Sequence, residues 1–160
     1  FGRIGKAVAQ AARGLGMEIL AYDIIDVRDE VEKIGGRQVS LEELLRRSDV
    51  ISLHVPLTPA TYRLLNDERL ALVKDGAIII NTSRGEVIDH EALLKHLDRL
   101  WGVGLDVLPE EPPRSETLLQ LISHEKVVVT PHVGSETFEA MRRLAEELAD
   151  NIEEVVKRVL

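Results

Sequence analysis

The sequence predicts an α/β fold, a doubly wound parallel sheet with helices on both faces. Short apolar runs alternate with helical patterns along the chain, as crossover connections between parallel strands require. The apolar run at residues 77–81 is typical of a strand buried on both faces. The chain starts with glycines that are followed at once by a helical pattern of small residues. This predicts the loop and helix of a first strand–helix crossover, whose opening strand is missing from this chain.

The chain opens with the letters FGRIG at residues 1–5, which read as the end of a G-x-G-x-x-G loop. A helix start with small packing residues explains the same letters equally well. Small residues continue the helix until Gly14 and Gly16 close it, and the run at 17–22 predicts a strand that ends on Asp23. An acid about 20 residues past the glycines is what a dinucleotide site needs for the ribose hydroxyls. We therefore expect a dinucleotide site, in a chain that is part of a longer protein.

The following elements are predicted from caps, turns and apolar runs. Residues 24–36 form a connection with at most a short helix, and Ser40 begins a helix through Arg47 because its hydroxyl can accept the amide of Glu43. The remaining elements are a strand at 50–55, a helix from Asn66 or Asp67 to 72, a turn at 74–76, a strand at 77–81, a helix at 91–100 capped by Asp89, a strand at 101–107, a helix at 116–122 and a strand at 127–130.

The last predicted element is a long charged helix that starts near Ser135. Its apolar residues recur at every third or fourth position, so we expect one face to be buried. That face consists of Met141, Leu144, Leu148, Ile152, Val155 and Val159.

Composition excludes several classes of function. The 160 residues suffice for one domain with a substantial core, and 44% apolar with 30% charged residues is typical of a soluble globular protein. No apolar stretch approaches the ~20 residues that span a bilayer, and no leader is visible, so we expect a cytoplasmic protein without membrane contact. The net charge of −8, without a basic patch, argues against nucleic acid. The absence of cysteine excludes thiol catalysis and disulfides.

Three residues in the loops that follow predicted strands are candidates for catalysis. Ligands of parallel sheets bind at the carboxyl ends of the strands, where these loops begin. Arg84 can hold a planar carboxylate through two hydrogen bonds, or it can pair with a neighbouring acid. His132 can move a proton near neutral pH. Glu111 alone reads as a solvated acid, but beside an imidazole it would favour the imidazolium and orient it. Together they would reduce a carbonyl, with a nicotinamide carrying the hydride.

The other four histidines have less direct roles. His54 ends a strand and is expected to shape the wall of the cofactor site. His90 and His96 lie on the polar face of a predicted helix and His124 lies in a loop, so we expect these three at the surface. No histidine or carboxylate cluster has the spacing of metal ligands, so we expect no metal.

Five motifs occur in one order: FGRIG at 1–5, HVPL at 54–57, NTSRG at 81–85, GLDV at 104–107 with Glu111-Pro112, and TPHVG at 130–134. In this order and spacing they resemble the nucleotide-binding domain of the D-isomer-specific 2-hydroxyacid dehydrogenases, over essentially all of residues 1–160. The resemblance implies a Rossmann domain that binds NAD, with the family's substrate-binding domain outside this chain. An acid at position 23, without an Arg directly after it, favours NAD over NADP.

The resemblance also implies the roles of individual residues. The catalytic set would be Arg84, Glu111 and His132. Asp23 would hold the adenosine ribose, and Asp106 would face the nicotinamide amide. The complete set expected to contact the cofactor is Gly2, Arg3, Ile4, Gly5, Asp23, His54, Val55, Pro56, Thr61, Thr82, Ser83, Arg84, Asp106, His132, Gly134 and Ser135.

Within the family, the loops look most similar to D-3-phosphoglycerate dehydrogenases, which act in serine biosynthesis. Glyoxylate or hydroxypyruvate reductases match nearly as well. Two other classes stay open: a dinucleotide-sensing corepressor-like binding module, which keeps the same three catalytic residues, and a nucleotide-binding fragment without activity. The expected partner is a small 2-hydroxyacid or 2-oxoacid, and the resemblance implies a homodimer formed through this domain.

Overall fold

The computed structural model describes residues 1–159 and has the predicted α/β architecture, with helices between parallel strands. In chain order the elements are α1 (Arg3–Gly14), β1 (Leu20–Ala21), α2 (Arg28–Lys33), β2 (Arg37–Gln38), α3 (Leu41–Arg47), β3 (Val50–Leu53), α4 (Asp67–Leu70), β4 (Ile78–Asn81), α5 (His90–His96), β5 (Gly102–Leu105), α6 (Glu116–Ile122), β6 (Val127–Val129) and α7 (Phe138–Val159). Single turns of 3-10 helix occupy Gly85–Val87 and Leu97–Arg99.

All strand pairs are parallel, and they form two sheets. The larger sheet has the order β3-β4-β5-β6, and the smaller contains β1 and β2. In the larger sheet Leu53 pairs with Asn81, and Asn81 pairs with Leu105. Because these residues end their strands in register, the loops that follow β3, β4 and β5 leave the sheet at the same edge.

A cavity of about 490 Å³ lies between β1 and β3. Leu20 and Ala21 line it from one side, and Ile51 and Leu53 line it from the other. Phe1 also contributes to its wall. The cavity therefore separates the smaller sheet from the larger one.

The core is divided in the same way as the sheet. The larger hydrophobic cluster surrounds β3, β4 and β5 and includes the fully buried Leu45, Ile79 and Leu93. Burying a side chain of this size stabilises the fold by roughly 1.5–3 kcal/mol. The smaller cluster packs Ala21 against Val27 and Val31, next to Phe1. The two sheets thus rest on separate clusters.

Three predicted helix caps are confirmed. The Ser40 hydroxyl accepts the N–H of Glu43 at 3.1 Å. Of the two predicted caps for α4, Asn66 and Asp67, the structure uses Asn66. The side chain of Asp89 caps α5. Each cap satisfies a backbone donor that the first turn of a helix leaves free.

Strand lengths were predicted less well. β1 covers only Leu20–Ala21 of the predicted 17–22, and β5 covers Gly102–Leu105 of the predicted 101–107. The connection at 24–36 does contain a short helix, α2, but the strand β2 that follows was not predicted. Arg37 and Gln38 are polar and too few to show an alternating pattern, so only their pairing with β1 identifies them as a strand.

The prediction that the apolar face of α7 is buried was wrong. Met141, Leu144, Leu148, Ile152 and Val155 are all more than half exposed, because no element within residues 1–158 covers them. Val159 ends α7, and its side chain lies outside the described part of the chain. Among the described helices, α7 included, none combines the length and apolar character that crossing a membrane requires.

Candidate active site at the carboxyl edge of the sheet

The loop after β4 is held by a buried asparagine that sequence reasoning did not single out. Asn81 has no exposed surface, and its Oδ1 accepts from the backbone N–H of Ser83 at 3.0 Å and from its hydroxyl at 2.8 Å. Its Nδ2 donates to the carbonyl of Arg84 at 2.8 Å. A polar residue at the end of an apolar run was the available signal. Asn81 fixes the loop that presents Arg84.

Gly85 brings the Arg84 loop against the loop that follows β5. A Cβ atom at Gly85 would lie 2.1 Å from the carbonyl carbon of Leu108 and 2.2 Å from the nitrogen of Pro109. Only glycine permits this approach. Because Glu111 is three residues beyond Leu108, the contact places the carboxylate loop beside the guanidinium loop.

His132 and Glu111 form a direct pair, as predicted. Nδ1 of His132 lies 2.8 Å from Oε2 of Glu111, and the other carboxylate oxygen accepts the N–H of Leu108 at 2.9 Å. The hydrogen bond and charge of Glu111 raise the pKa of His132, and the nearby charge of Arg84 opposes this rise. The pKa of Glu111 is lowered, first by its hydrogen bond to His132 and then by Leu108. The pair is therefore held as imidazolium and carboxylate over a wider pH range.

Asp106 is a buried acid whose carboxylate binds the loop that carries His132. The hydroxyl of Thr130 donates to Oδ1, which also accepts the N–H of Val133 at 3.1 Å. The N–H of Gly134 donates to Oδ2 at 3.0 Å. Burial works to raise the pKa of Asp106, but these donors outweigh it and lower the pKa. The carboxylate is thus ionised and already bound to three donors of its own chain.

The start of α1 lies against the end of β3. Gly2 caps α1, and a Cβ atom added to Gly5 would lie 3.7 Å from the Cβ of His54. His54 is half-buried, and its Nε2 lies 2.8 Å from the hydroxyl of Ser52. Burial lowers the pKa of His54, so the ring is held neutral. The backbone nitrogen of Phe1, which precedes α1, contacts the carboxylate of Asp23.

The other predicted cofactor residues divide by exposure. Val55, just after β3, is partly buried, the neighbouring Pro56 is exposed, and Ser83 is buried. The hydroxyl of Thr61 is engaged within its own loop, where it donates to the carbonyl of Pro56. Besides Pro56, the exposed positions include Gly2, Arg3, Ile4, Thr82, Gly134 and Ser135.

The prediction of a surface position was wrong for His90. This residue is only 7% exposed, burial lowers its pKa, and its Nε2 has no partner among the described residues. His96 is partly buried and its Nε2 lies 3.1 Å from Asp67, whereas Nδ1 of His124 accepts the N–H of Lys126. In residues 1–159 no group of three or more histidine or acidic side chains is placed to hold a metal ion.

The whole site can therefore do acid–base chemistry beside an anion-binding group. A substrate carboxylate can bind Arg84, whose guanidinium makes a single hydrogen bond among the described residues, from Nη1 to the carbonyl of Ser83. His132 can exchange a proton at Nε2, because Nδ1 is bound to Glu111. An oxygen atom that gains or loses a proton would have to lie within hydrogen-bond reach of that nitrogen.

Comparison with known proteins agrees with this chemistry. Residues 1–134 match the family described as D-isomer specific 2-hydroxyacid dehydrogenase, NAD binding domain. A glyoxylate reductase from Thermococcus litoralis is 48% identical over 154 residues, which are 95% of this chain and 46% of that protein. A hydroxypyruvate reductase from Thermotoga maritima is 45% identical over 154 residues, or 95% of this chain and 49% of that protein. The chain thus spans about half the length of these relatives.

Solved structures share the fold over nearly the whole chain. D-lactate dehydrogenase from Aquifex aeolicus, complexed with NAD and lactic acid, superposes with a TM-score of 0.88 at 37% identity. The match covers 98% of this chain and 51% of that one. A D-2-hydroxyisocaproate dehydrogenase gives a TM-score of 0.91 at 28% identity, over 99% of this chain and 52% of its own.

Proposed function

The chain belongs to the D-isomer specific 2-hydroxyacid dehydrogenase family, as its NAD binding domain, and on this premise we propose that the whole protein is an NAD-dependent oxidoreductase. It would transfer a hydride between the nicotinamide and a D-2-hydroxyacid or its 2-oxoacid. The single observation that carries the proposal is the 2.8 Å contact between Nδ1 of His132 and Oε2 of Glu111, at the sheet edge that also presents Arg84.

The residues of the site fit the family's cofactor, NAD. Gly134 brings its backbone close to Asp106, because a Cβ atom there would lie 3.0 Å from Oδ2 of that residue. Gly2 is open, with nothing within 4 Å of such a Cβ, and it begins a helix whose free N–H groups favour an anion. Asp23, at the end of β1, would hold the ribose hydroxyls. Bound NAD would supply the hydride acceptor that no side chain provides.

The chain's own groups would bind the substrate and move its proton. Arg84 would hold the carboxylate with paired N–H donors, which orients the neighbouring carbonyl or hydroxyl. His132 would donate its Nε2 proton to the carbonyl oxygen during reduction and accept the hydroxyl proton during oxidation. Glu111 would stabilise the imidazolium and fix the ring through Nδ1. The pKa of His132, raised by Glu111, favours the proton-donating form.

For the substrate, we propose glyoxylate or hydroxypyruvate. The relatives named above support this choice, since they are 45–48% identical to the chain over 95% of its length. These relatives do not support 3-phosphoglycerate, the substrate that the loop sequences favour. We keep 3-phosphoglycerate as the second candidate. The family's substrate-binding domain, a homodimer through this domain and a cytoplasmic location stay predictions.

The test is a titration with NADH, with NADPH in parallel, followed by turnover of glyoxylate, hydroxypyruvate and 3-phosphohydroxypyruvate by the whole protein. Energy transfer to bound nicotinamide from tryptophan, which in this chain is Trp101, reports binding. We expect saturable binding that favours NADH, and turnover that His132→Ala lowers by roughly 100-fold or more. NADH binding without turnover of any 2-oxoacid would instead favour the corepressor-like class. Absence of NADH binding by the folded whole protein would refute the proposal.

A further inference from the structure

We propose that Thr130 is a positioning residue, whose hydroxyl locks the carboxylate of Asp106 and thereby holds His132 in place against Glu111. The inference deepens the proposed function and rests on it, since it concerns the residue that would exchange the substrate proton. Thr130 itself would not touch the substrate. Its effect would be transmitted through hydrogen bonds that the structure shows.

The contacts join both sides of His132 to one carboxylate. Oδ1 of Asp106 accepts the hydroxyl of Thr130, two residues before His132, and the N–H of Val133, one residue after it. Oδ2 accepts the N–H of Gly134. A single buried group therefore binds the loop before and after the residue that carries the chemistry.

Thr130 can serve as the anchor because its backbone continues the ladder of the sheet. Its N–H donates to the carbonyl of Leu105 at 2.9 Å, one residue before Asp106. Its carbonyl accepts the N–H of His132 at 2.9 Å. The hydroxyl is thus attached to a fixed strand, whereas Val133 and Gly134 lie in an exposed loop.

The backbone of His132 needs such support. Its φ angle is +56°, in the left-handed region that L-residues other than glycine seldom adopt. Conformations of this kind persist only where the surrounding contacts impose them. Gly134 lies close to the same carboxylate, since a Cβ atom there would lie 3.0 Å from Oδ2 of Asp106.

Loss of the Thr130 hydroxyl would leave Oδ1 with one donor, the N–H of Val133 in the exposed loop. The carboxylate would then be held only by the N–H groups of Val133 and Gly134, and the loop could relax from the left-handed conformation of His132. His132 would lose its fixed distance to Glu111. Three charged groups act on the imidazole in this arrangement: Glu111 and Asp106 raise its pKa, and Arg84 lowers it.

The experiment compares Thr130→Val, which removes the hydroxyl at nearly constant shape, with Thr130→Ser, which keeps it. Thr117→Val, in α6, is the matched control, since its side chain is partly buried and makes no hydrogen bond within the described residues. NMR titration of the histidine rings gives the pKa of His132 directly, and the signal that is lost in His132→Gln is assigned to this residue. This reading does not depend on turnover.

We expect the pKa of His132 to fall towards its ordinary value in Thr130→Val and to stay raised in Thr130→Ser and Thr117→Val. In the whole protein, kcat should fall about tenfold in Thr130→Val, the equivalent of one hydrogen bond to a charged group. KM for the 2-oxoacid should change little, since Arg84 is untouched. Should Thr130→Val not fold, Thr130→Ala takes its place.

An unchanged pKa of His132 in a folded variant without the hydroxyl would overturn the positioning role. The positioning role would also be overturned if the pKa of His132 fell as far in Thr130→Ser as in Thr130→Val, because the hydroxyl would then be irrelevant. If the whole wild-type protein bound no NADH, the proposed function would fail, and the pKa comparison would still decide the positioning role. The two failures are therefore distinguishable.

Discussion

Nδ1 of His132 lies 2.8 Å from Oε2 of Glu111, although 20 residues, a helix and a strand separate the two along the chain. The pair depends on two loops that leave neighbouring strands, β5 and β6, at the same edge of the sheet. Because Nδ1 is occupied, Nε2 is the ring nitrogen that remains for the substrate. The pH dependence of turnover should therefore report on this pair.

Glu111→Gln should move the pH profile of reduction to lower pH. Reduction needs the imidazolium, so its rate falls as pH rises through the pKa of His132, which Glu111 raises. Without the carboxylate, that pKa returns towards its ordinary value and the rate falls at lower pH. The measurement is kcat/KM against pH for the whole protein. Glu110→Gln is the control, since an amide can still accept from Arg114 and Ser115. If the fall of kcat/KM at high pH occurred at the same pH in Glu111→Gln as in the wild type, Glu111 would not raise the pKa of His132.

Arg84→Ala should lower turnover and substrate affinity together. The guanidinium would contribute at least one charge-assisted hydrogen bond to the substrate carboxylate, worth about 1.5–3 kcal/mol. The expected fall in kcat/KM is thus roughly 10- to 100-fold, measured by steady-state kinetics. Arg114→Ala, an exposed arginine in the β5–α6 connection, should leave the kinetics unchanged. An unaltered KM for Arg84→Ala would place the substrate carboxylate elsewhere.

Asp23→Ala should relax the preference for NADH over NADPH. A carboxylate at the end of β1 favours the ribose hydroxyls and repels a 2′-phosphate, and alanine does neither. We expect the ratio of the two dissociation constants to change about tenfold, as for one hydrogen bond to a charged group. Asp26→Ala, at an exposed acid paired with Arg28, should retain the wild-type ratio. Equal selectivity in both variants would exclude Asp23 from the ribose site.

Gly85→Ala should destabilise the fold as well as the site. The new Cβ would collide with the backbone of Leu108 and Pro109, which flexible side chains cannot relieve. Overpacking of this kind costs about 1–3 kcal/mol or more, measured as the free energy of unfolding in urea. Gly14→Ala, where nothing lies within 4 Å, should be neutral or slightly stabilising. Equal stability of the two variants would show that the loops separate easily.

The sequence predicted the elements whose signals are local. The caps at Ser40 and Asp89 follow from one side chain and an amide three residues later, and the structure has both. The two-residue strand β2 has no local signal, since its pairing with β1 defines it. The buried position of His90 also escaped prediction, because packing by other segments decides which face of a short helix is covered.

The candidate site also could be predicted only where its signals are local in the sequence. Strand ends identify Arg84 and His132 without knowledge of any contact, because parallel strands end at one edge. The roles of Asn81 and Thr130 depend on hydrogen bonds across loops, which no spacing reveals. Asp106 was expected to face the cofactor, and its three donors from residues 130–134 became visible only in the folded chain.

The division of the apolar core into two clusters has a consequence for cooperativity. Asp23 follows β1, which belongs to the smaller cluster, whereas Arg84 and His132 extend from strands of the larger one. In the described residues of this chain few apolar groups hold the smaller unit, so its backbone amides should exchange with solvent through local opening before the larger sheet opens. A dinucleotide that reaches from Asp23 to His132 would join the two units, so that they unfold in a single transition.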